Sequence, residues 1–144
     1  GQLMLLSLPD EKAPSGAGVE LLAASLAATL APANAHLDMS AHAELTCHAE
    51  GDALLPRTIR YIEERRANER RFTGAIEDHP APLHVIWGPE DPIAVPAMAE
   101  RLASTRPDAT LTWIPNTGHY PQLEDPAAWL AAVTTALTHT AHRF

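Results

Sequence analysis

Cysteine is almost absent: Cys47 is the only one in 144 residues, so no disulfide within the chain can brace the fold, and a reducing, cytoplasmic setting is expected. No apolar run reaches the roughly 18 residues of a membrane span. The apolar start at Leu3, Met4, Leu5 and Leu6 lacks the basic lead-in of a secretory leader, so no membrane partner is expected. Positive charge is also scarce. Ten Lys and Arg stand against 18 Asp and Glu, a formal net charge of −8. No basic block is dense enough to follow a phosphate backbone, which argues against a nucleic-acid partner. The one basic run, Arg57 to Arg71, alternates with Glu63, Glu64 and Glu69, as a solvated helix laced with ion pairs does.

What is present suits a folded chain. Hydrophobic residues make up 46% and charged residues 19%, ordinary for a globular protein, and the length fits one domain or part of one. Gln2 to Leu8 is nearly all apolar, the pattern of a strand covered on both faces in a parallel sheet. The chain starts at Gly1 without Met and enters this pattern at once, which suggests that further sequence precedes it. Residues 9–80 differ: apolar positions such as Val19, Leu22, Leu26 and Leu30 recur at helical spacing, with breaks at Pro32, Gly51 and Pro56. This span reads as an all-helical insert in which Ile59, Ile62 and Arg66 share one stripe.

From residue 81 to 144 the chain alternates strand, helix, strand, helix, the signature of parallel strands joined by crossover helices. Leu83 to Trp87 is one strand, ended by Gly88; a helix from Pro96 carries Met98 and Leu102; Thr110 to Ile114 is the next strand. Asp125-Pro126 starts the last helix, with an N-cap acceptor before a first-turn proline, and Trp129, Val133 and Leu137 form its expected buried stripe.

Reactive groups in open parallel sheets collect beyond the carboxyl ends of the strands. Asp91 lies four residues after Trp87 and His119 five after Ile114, 28 positions apart (119 − 91), about one β-α-β step of roughly 30 residues. The fold is thus expected to set a carboxylate beside an imidazole, where it fixes the tautomer and stabilises the imidazolium formed on proton abstraction.

The run Leu83-His84-Val85-Ile86-Trp87-Gly88-Pro89-Glu90-Asp91-Pro92, followed by Ile114-Pro115-Asn116-Thr117-Gly118-His119-Tyr120-Pro121-Gln122-Leu123-Glu124-Asp125-Pro126, resembles the two C-terminal motifs of the α/β-hydrolase superfamily. The resemblance is closest to the branch holding epoxide hydrolases and haloalkane dehalogenases, and Tyr61 through Gly74 looks like the end of that branch's helical cap. It implies an α/β fold: the C-terminal part of the hydrolase sheet, about three parallel strands with crossover helices, plus an all-helical cap. Residues 1–8 would be a core strand, 9–80 the cap, and 81–144 the C-terminal β-α-β-α part. Asp91 matches the catalytic acid and His119 the base. Some members place the acid one strand earlier, where Asp10 and Glu11 stand here; Glu11 is kept as a substitute and otherwise reads as a solvated loop residue.

The nucleophile of that family sits on a G-x-S-x-G turn, or the same turn with aspartate. Ser7, Ser15, Ser25, Ser40 and Ser104 lack the flanking glycines, and Gly16-Ala17-Gly18 completes no phosphate-binding fingerprint. The half carrying the nucleophile and the oxyanion donors is therefore absent from this sequence. The expectation is the acid/base and cap portion of a hydrolase of ester, epoxide or carbon-halogen bonds, inactive alone. Its partners would be a small apolar substrate and either an N-terminal half or a second copy of the chain. A non-catalytic binding module derived from the fold is the alternative. His36, His42, Cys47 and His48 match no zinc spacing, and Cys47 and His48, as neighbours on a helix, point about 100° apart. No metal and no cofactor is expected. Tyr61 could reach the substrate pocket, but on so charged a helix it reads first as a surface residue.

Overall fold

The computed structural model describes residues 18–141, the side chains as far as 139. The expected first strand at residues 1–8 lies outside them, as do Ser7, Asp10, Glu11 and Ser15. The chain divides into two compact units, one containing residues up to Leu26 and Asp38–Ile76, the other Ala27–Leu37 and Glu77 onward.

In the first unit every described element is helical. Helix α1 (Gly18–Ala27) half-buries Val19, Leu22 and Leu26 at the expected spacing. Helix α2 (Ser40–Cys47) buries Ala43, and a 3-10 stretch (His48–Leu54) follows. Inside that stretch Ala49 and Glu50 take positive φ of 51° and 62°, a conformation that costs a residue with a Cβ roughly 1–2 kcal/mol. The break therefore comes just before Gly51, where composition alone places it. Helix α3 (Leu55–Thr58) carries Pro56 in its first turn, where a missing N–H costs nothing. It ends before α4 (Tyr61–Ala67), so Ile59, outside both, does not continue a stripe through Ile62 and Arg66. Helix α5 (Glu69–Glu77) buries Gly74. Met39, Ala43 and Pro56 are the buried centre of this unit.

The second unit holds a two-stranded parallel sheet among the described residues. Strand β1 (His84–Trp87) pairs with β2 (Thr110–Trp113) in the register His84 to Thr110 through Trp87 to Trp113. Ladder bonds continue past both ends, from the Thr110 amide to the Leu83 carbonyl and from the Ile114 amide to that of Trp87. Helix α6 (Pro96–Ser104) makes the crossover and buries Ala99; Met98 is half exposed. At the strands' amino ends, buried Arg106 donates to the Ala81 carbonyl and grips Asp108 through Nε and Nη2, tying together the segments that enter β1 and β2. A short helix α7 (Pro121–Glu124) leads into α8 (Pro126–Ala141). The Asp125 carboxylate caps α8 by accepting the Ala128 amide at 2.9 Å. Of the expected buried stripe on α8, Trp129 and Val133 are half-buried but Leu137 is 66% exposed. Residues 27–37, within the span that reads as a helical insert, pack in this unit, with Leu30 and Ala31 buried. No helix among the described residues is long and apolar enough to cross a membrane.

Candidate active site

Because β1 and β2 run parallel, their carboxyl ends deliver two loops to one edge of the sheet. The loops touch through their backbones. The Glu90 amide donates to the Thr117 carbonyl at 3.0 Å, and a Cβ on Gly88 would collide with the Gly118 carbonyl. Gly118 is as crowded from its other side, where a Cβ would come 2.6 Å from the Thr29 oxygen and 2.7 Å from the Ala31 nitrogen. Only glycine permits three chain segments to cross at these separations. The β2 loop turns at Asn116, whose φ of 58° is one that asparagine tolerates well, and the buried Thr117 hydroxyl donates to the Ile114 carbonyl. In the β1 loop the Trp87 indole N–H donates to the Ala94 carbonyl at 2.8 Å.

These loops bring the two expected site residues together. The Asp91 Oδ2 lies 2.8 Å from His119 Nδ1. Its Oδ1 accepts the backbone amides of Ile93 and Ala94 at 2.8 and 2.9 Å. The carboxylate is thus fixed by its own loop before it meets the ring, and its side chain is only 6% exposed against 32% for His119. An ionised carboxylate can only accept, so Nδ1 is the donor in this contact and Nε2 is the ring nitrogen not engaged by Asp91. The ring borders a cavity of about 240 Å³ lined by Trp87, Asp91, Ala94, His119, Pro121 and Trp129 among others. Tyr120 stands edge-on to the imidazole, centroids 5.0 Å apart. Desolvation, and then the negative charge of Asp91, push its phenol above the ordinary tyrosine range.

A carboxylate holding an imidazole at the ends of adjacent parallel strands agrees with the comparison of this chain with known families. The model of the alpha/beta hydrolase family matches residues 5–133. The chain belongs to that family. Among curated relatives, the protein named "Putative hydrolase LipZ" of Mycobacterium tuberculosis is 37% identical over 94 residues, 65% of this chain and 33% of the relative. The mesoderm-specific transcript protein of Mus musculus is 36% identical over 85 residues, 58% of this chain and 25% of the relative. Its Homo sapiens counterpart is 35% identical over the same length. The chain therefore spans a quarter to a third of the length of these relatives. No solved structure matches it.

Tyr61 is 46% exposed, with the Arg65 guanidinium 5.8 Å from its ring centre. Ser25 and Ser104 spend their hydroxyls on the carbonyls of Leu21 and Arg101. Among the described residues no group of three or more His, Cys, Asp or Glu is placed to hold a metal. Cys47 is a free thiol; desolvation and the nearby Asp52 carboxylate raise its pKa, the reverse of what activates a nucleophile.

One residue escaped the sequence reading. Glu124 lies five positions beyond His119, and its carboxylate accepts the amides of Gly118, Tyr120 and Ala31 and the side-chain amide of Asn34. A carboxylate one turn past a loop histidine was the available signal, but three of its four partners are backbone groups, which a sequence does not mark.

Proposed function

We propose that this chain supplies the acid and base of an α/β-hydrolase that cleaves an ester, epoxide or carbon-halogen bond, with the nucleophile contributed from outside this sequence. The observation that carries the reading is the 2.8 Å contact between Asp91 and His119 Nδ1, made by a buried carboxylate and leaving Nε2 as the free nitrogen. With a serine nucleophile, His119 Nε2 takes the hydroxyl proton as oxygen attacks the carbonyl carbon, then returns it to the leaving group. With an aspartate nucleophile the carboxylate attacks carbon directly, forming an ester as the carbon-halogen bond breaks and halide leaves, or as the epoxide C–O bond opens and its oxygen takes a proton from solvent. His119 then takes a proton from the water that cleaves the resulting ester. In both cases Asp91 stays ionised and stabilises the imidazolium.

The aromatic and apolar lining around the pair, Trp87, Ala94, Pro121 and Trp129, suits a small apolar substrate. The helical unit fills the role of the cap, and the likeness of Tyr61 through Gly74 to a cap end supports the epoxide hydrolase and dehalogenase branch. A single thiol fits a reducing, cytoplasmic location. An N-terminal portion would complete the sheet and bring the elbow; a second copy of the chain, which has no elbow of its own, would only cover the sheet's edge.

The test is turnover of a panel of activated esters, epoxides and haloalkanes. The chain alone should match its own His119→Ala variant. Combined with a portion or partner bearing a G-x-S-x-G or G-x-D-x-G elbow, it should turn over and lose activity with His119→Ala or Asp91→Ala. Turnover that survives both substitutions refutes the assignment. A chain that no such elbow activates is better read as a binding module, which the lack of a glycine-flanked serine or aspartate also favours.

A further inference from the structure

The Glu124 carboxylate is the acceptor for four N–H groups. Oε1 takes the backbone amides of Gly118 at 2.8 Å and Tyr120 at 3.1 Å. Oε2 takes the Ala31 amide at 2.8 Å and Asn34 Nδ2 at 3.1 Å. Gly118 and Tyr120 are the two neighbours of His119, whose own amide donates to the Thr29 carbonyl at 3.0 Å. Asn34 Nδ2 reaches the Asn116 carbonyl as well, at 2.8 Å. Three consecutive amides around the imidazole are therefore all engaged, two on Glu124 and one on Thr29, and the same carboxylate fastens the 31–34 segment beneath them.

We infer that Glu124 is a positioning residue for His119. It fixes the backbone on both sides of the histidine, so that the ring is delivered to Asp91 through Nδ1 with Nε2 left free. This rests on the assignment of His119 as base and Asp91 as acid. The role demands a carboxylate and not merely its shape. All four partners are donors, and an ionised carboxylate offers only acceptors. Glu124→Gln keeps the volume but replaces one oxygen with an NH2 group. Whichever way the amide turns, two of the four donors then face another donor.

The test reads the His119 ring in the full chain, labelled with nitrogen-15, by the Nδ1 proton resonance and its exchange with water. His119→Ala assigns the signal. In Glu124→Gln the ring proton should exchange about tenfold faster or vanish, because loop donors left without acceptors favour local opening. The sheet amide of Thr110, bonded to the Leu83 carbonyl, should keep its protection. A folded Glu124→Gln chain with an unchanged ring-proton rate overturns the inference. So does an equal acceleration at Thr110, which would mark a general loss of stability. If Glu124→Gln does not fold, Asn34→Ala removes one donor and the tie to Asn116 from a partly exposed position. It should accelerate the ring proton severalfold, and an unchanged rate there overturns the inference equally. Asp91→Asn separates the two layers. If the unsubstituted chain shows no Nδ1 proton, or Asp91→Asn leaves that proton in place, the acid/base pair itself fails. If Asp91→Asn removes it and the Glu124 and Asn34 variants do not disturb it, only the positioning role fails.

Discussion

Replacing Asp91 by Asn tests whether the carboxylate dictates the state of His119. The two oxygens of Asp91 do different jobs: Oδ1 holds the Ile93 and Ala94 amides, and Oδ2 faces His119 Nδ1. In Asp91→Asn the side-chain oxygen stays with the two loop amides, since turning it away would leave both unpaired. The NH2 group then points at Nδ1, which must become the acceptor, and the ring proton moves to Nε2. One charge-assisted bond becomes a neutral one at a side chain only 6% exposed, a loss of about 1–3 kcal/mol in unfolding free energy. The larger effect is on chemistry. An imidazole protonated on Nε2 has no lone pair for a nucleophile, and the same exchange in a serine triad lowers kcat about 10⁴-fold. Nitrogen-15 shifts of the ring in the chain itself report the tautomer without turnover, with Nδ1 pyrrole-like before the substitution and pyridine-like after it. A parallel absorbance titration of Tyr120, in a Tyr61→Phe background, should show its raised phenol pKa fall back toward the ordinary value once the Asp91 charge is gone, leaving the part due to desolvation. The sign is fixed: a phenol that holds its proton more tightly when folded loses that stabilisation as pH climbs through the ordinary tyrosine value to the raised one. A ring whose Nδ1 stays protonated in Asp91→Asn refutes the account of the pair.

Gly118→Ala should lower stability in urea denaturation by about 1–3 kcal/mol, because its Cβ meets three backbone atoms, the Thr29 oxygen, the Ala31 nitrogen and the Leu30 carbonyl carbon, at 2.6 to 2.8 Å. A change within about 0.5 kcal/mol, the range of an ordinary surface substitution, would mean that the three segments do not cross as described. Cys47 should react with iodoacetamide at pH 8 more slowly than a free cysteine, its thiol being held up by desolvation and by Asp52. Asp52→Asn should speed the reaction, and a faster-than-free thiol in the unsubstituted chain would restore Cys47 as a nucleophile candidate.

The pair at the sheet edge was legible because every step to it is local. Apolar runs ended by Gly88 and Pro115 mark the strands, and one β-α-β step between Asp91 and His119 places their loops side by side. The N-cap at Asp125 is likewise a signal of adjacent residues. What misled was length. Helix α8 has 16 residues, about 24 Å at 1.5 Å per residue, whereas β1 has four, about 13 Å. Trp129 and Val133 are half-buried, while Leu137, of the same expected stripe but farther along the helix, is 66% exposed. The break at Ala49 and Glu50 had no mark either, since neither residue favours positive φ and the glycine comes one position later.

Glu124 shows a different kind of illegibility. Its partners Ala31 and Asn34 stand 93 and 90 positions earlier, on either side of the helix break at Pro32, and no periodicity links them to the histidine loop. The physical demand can still be stated in advance. A loop that presents a catalytic ring turns several amides away from the sheet ladder, and those amides need acceptors when buried. Here one carboxylate answers two of them and draws in the 31–34 segment to fill its remaining lone pairs. A histidine loop without such an acceptor would have to satisfy its amides with water, and the ring would inherit the loop's motion. Holding a loop histidine in one place can thus rest on residues that never touch its ring, and the rule for finding them is to ask of each loop amide near the site what accepts it.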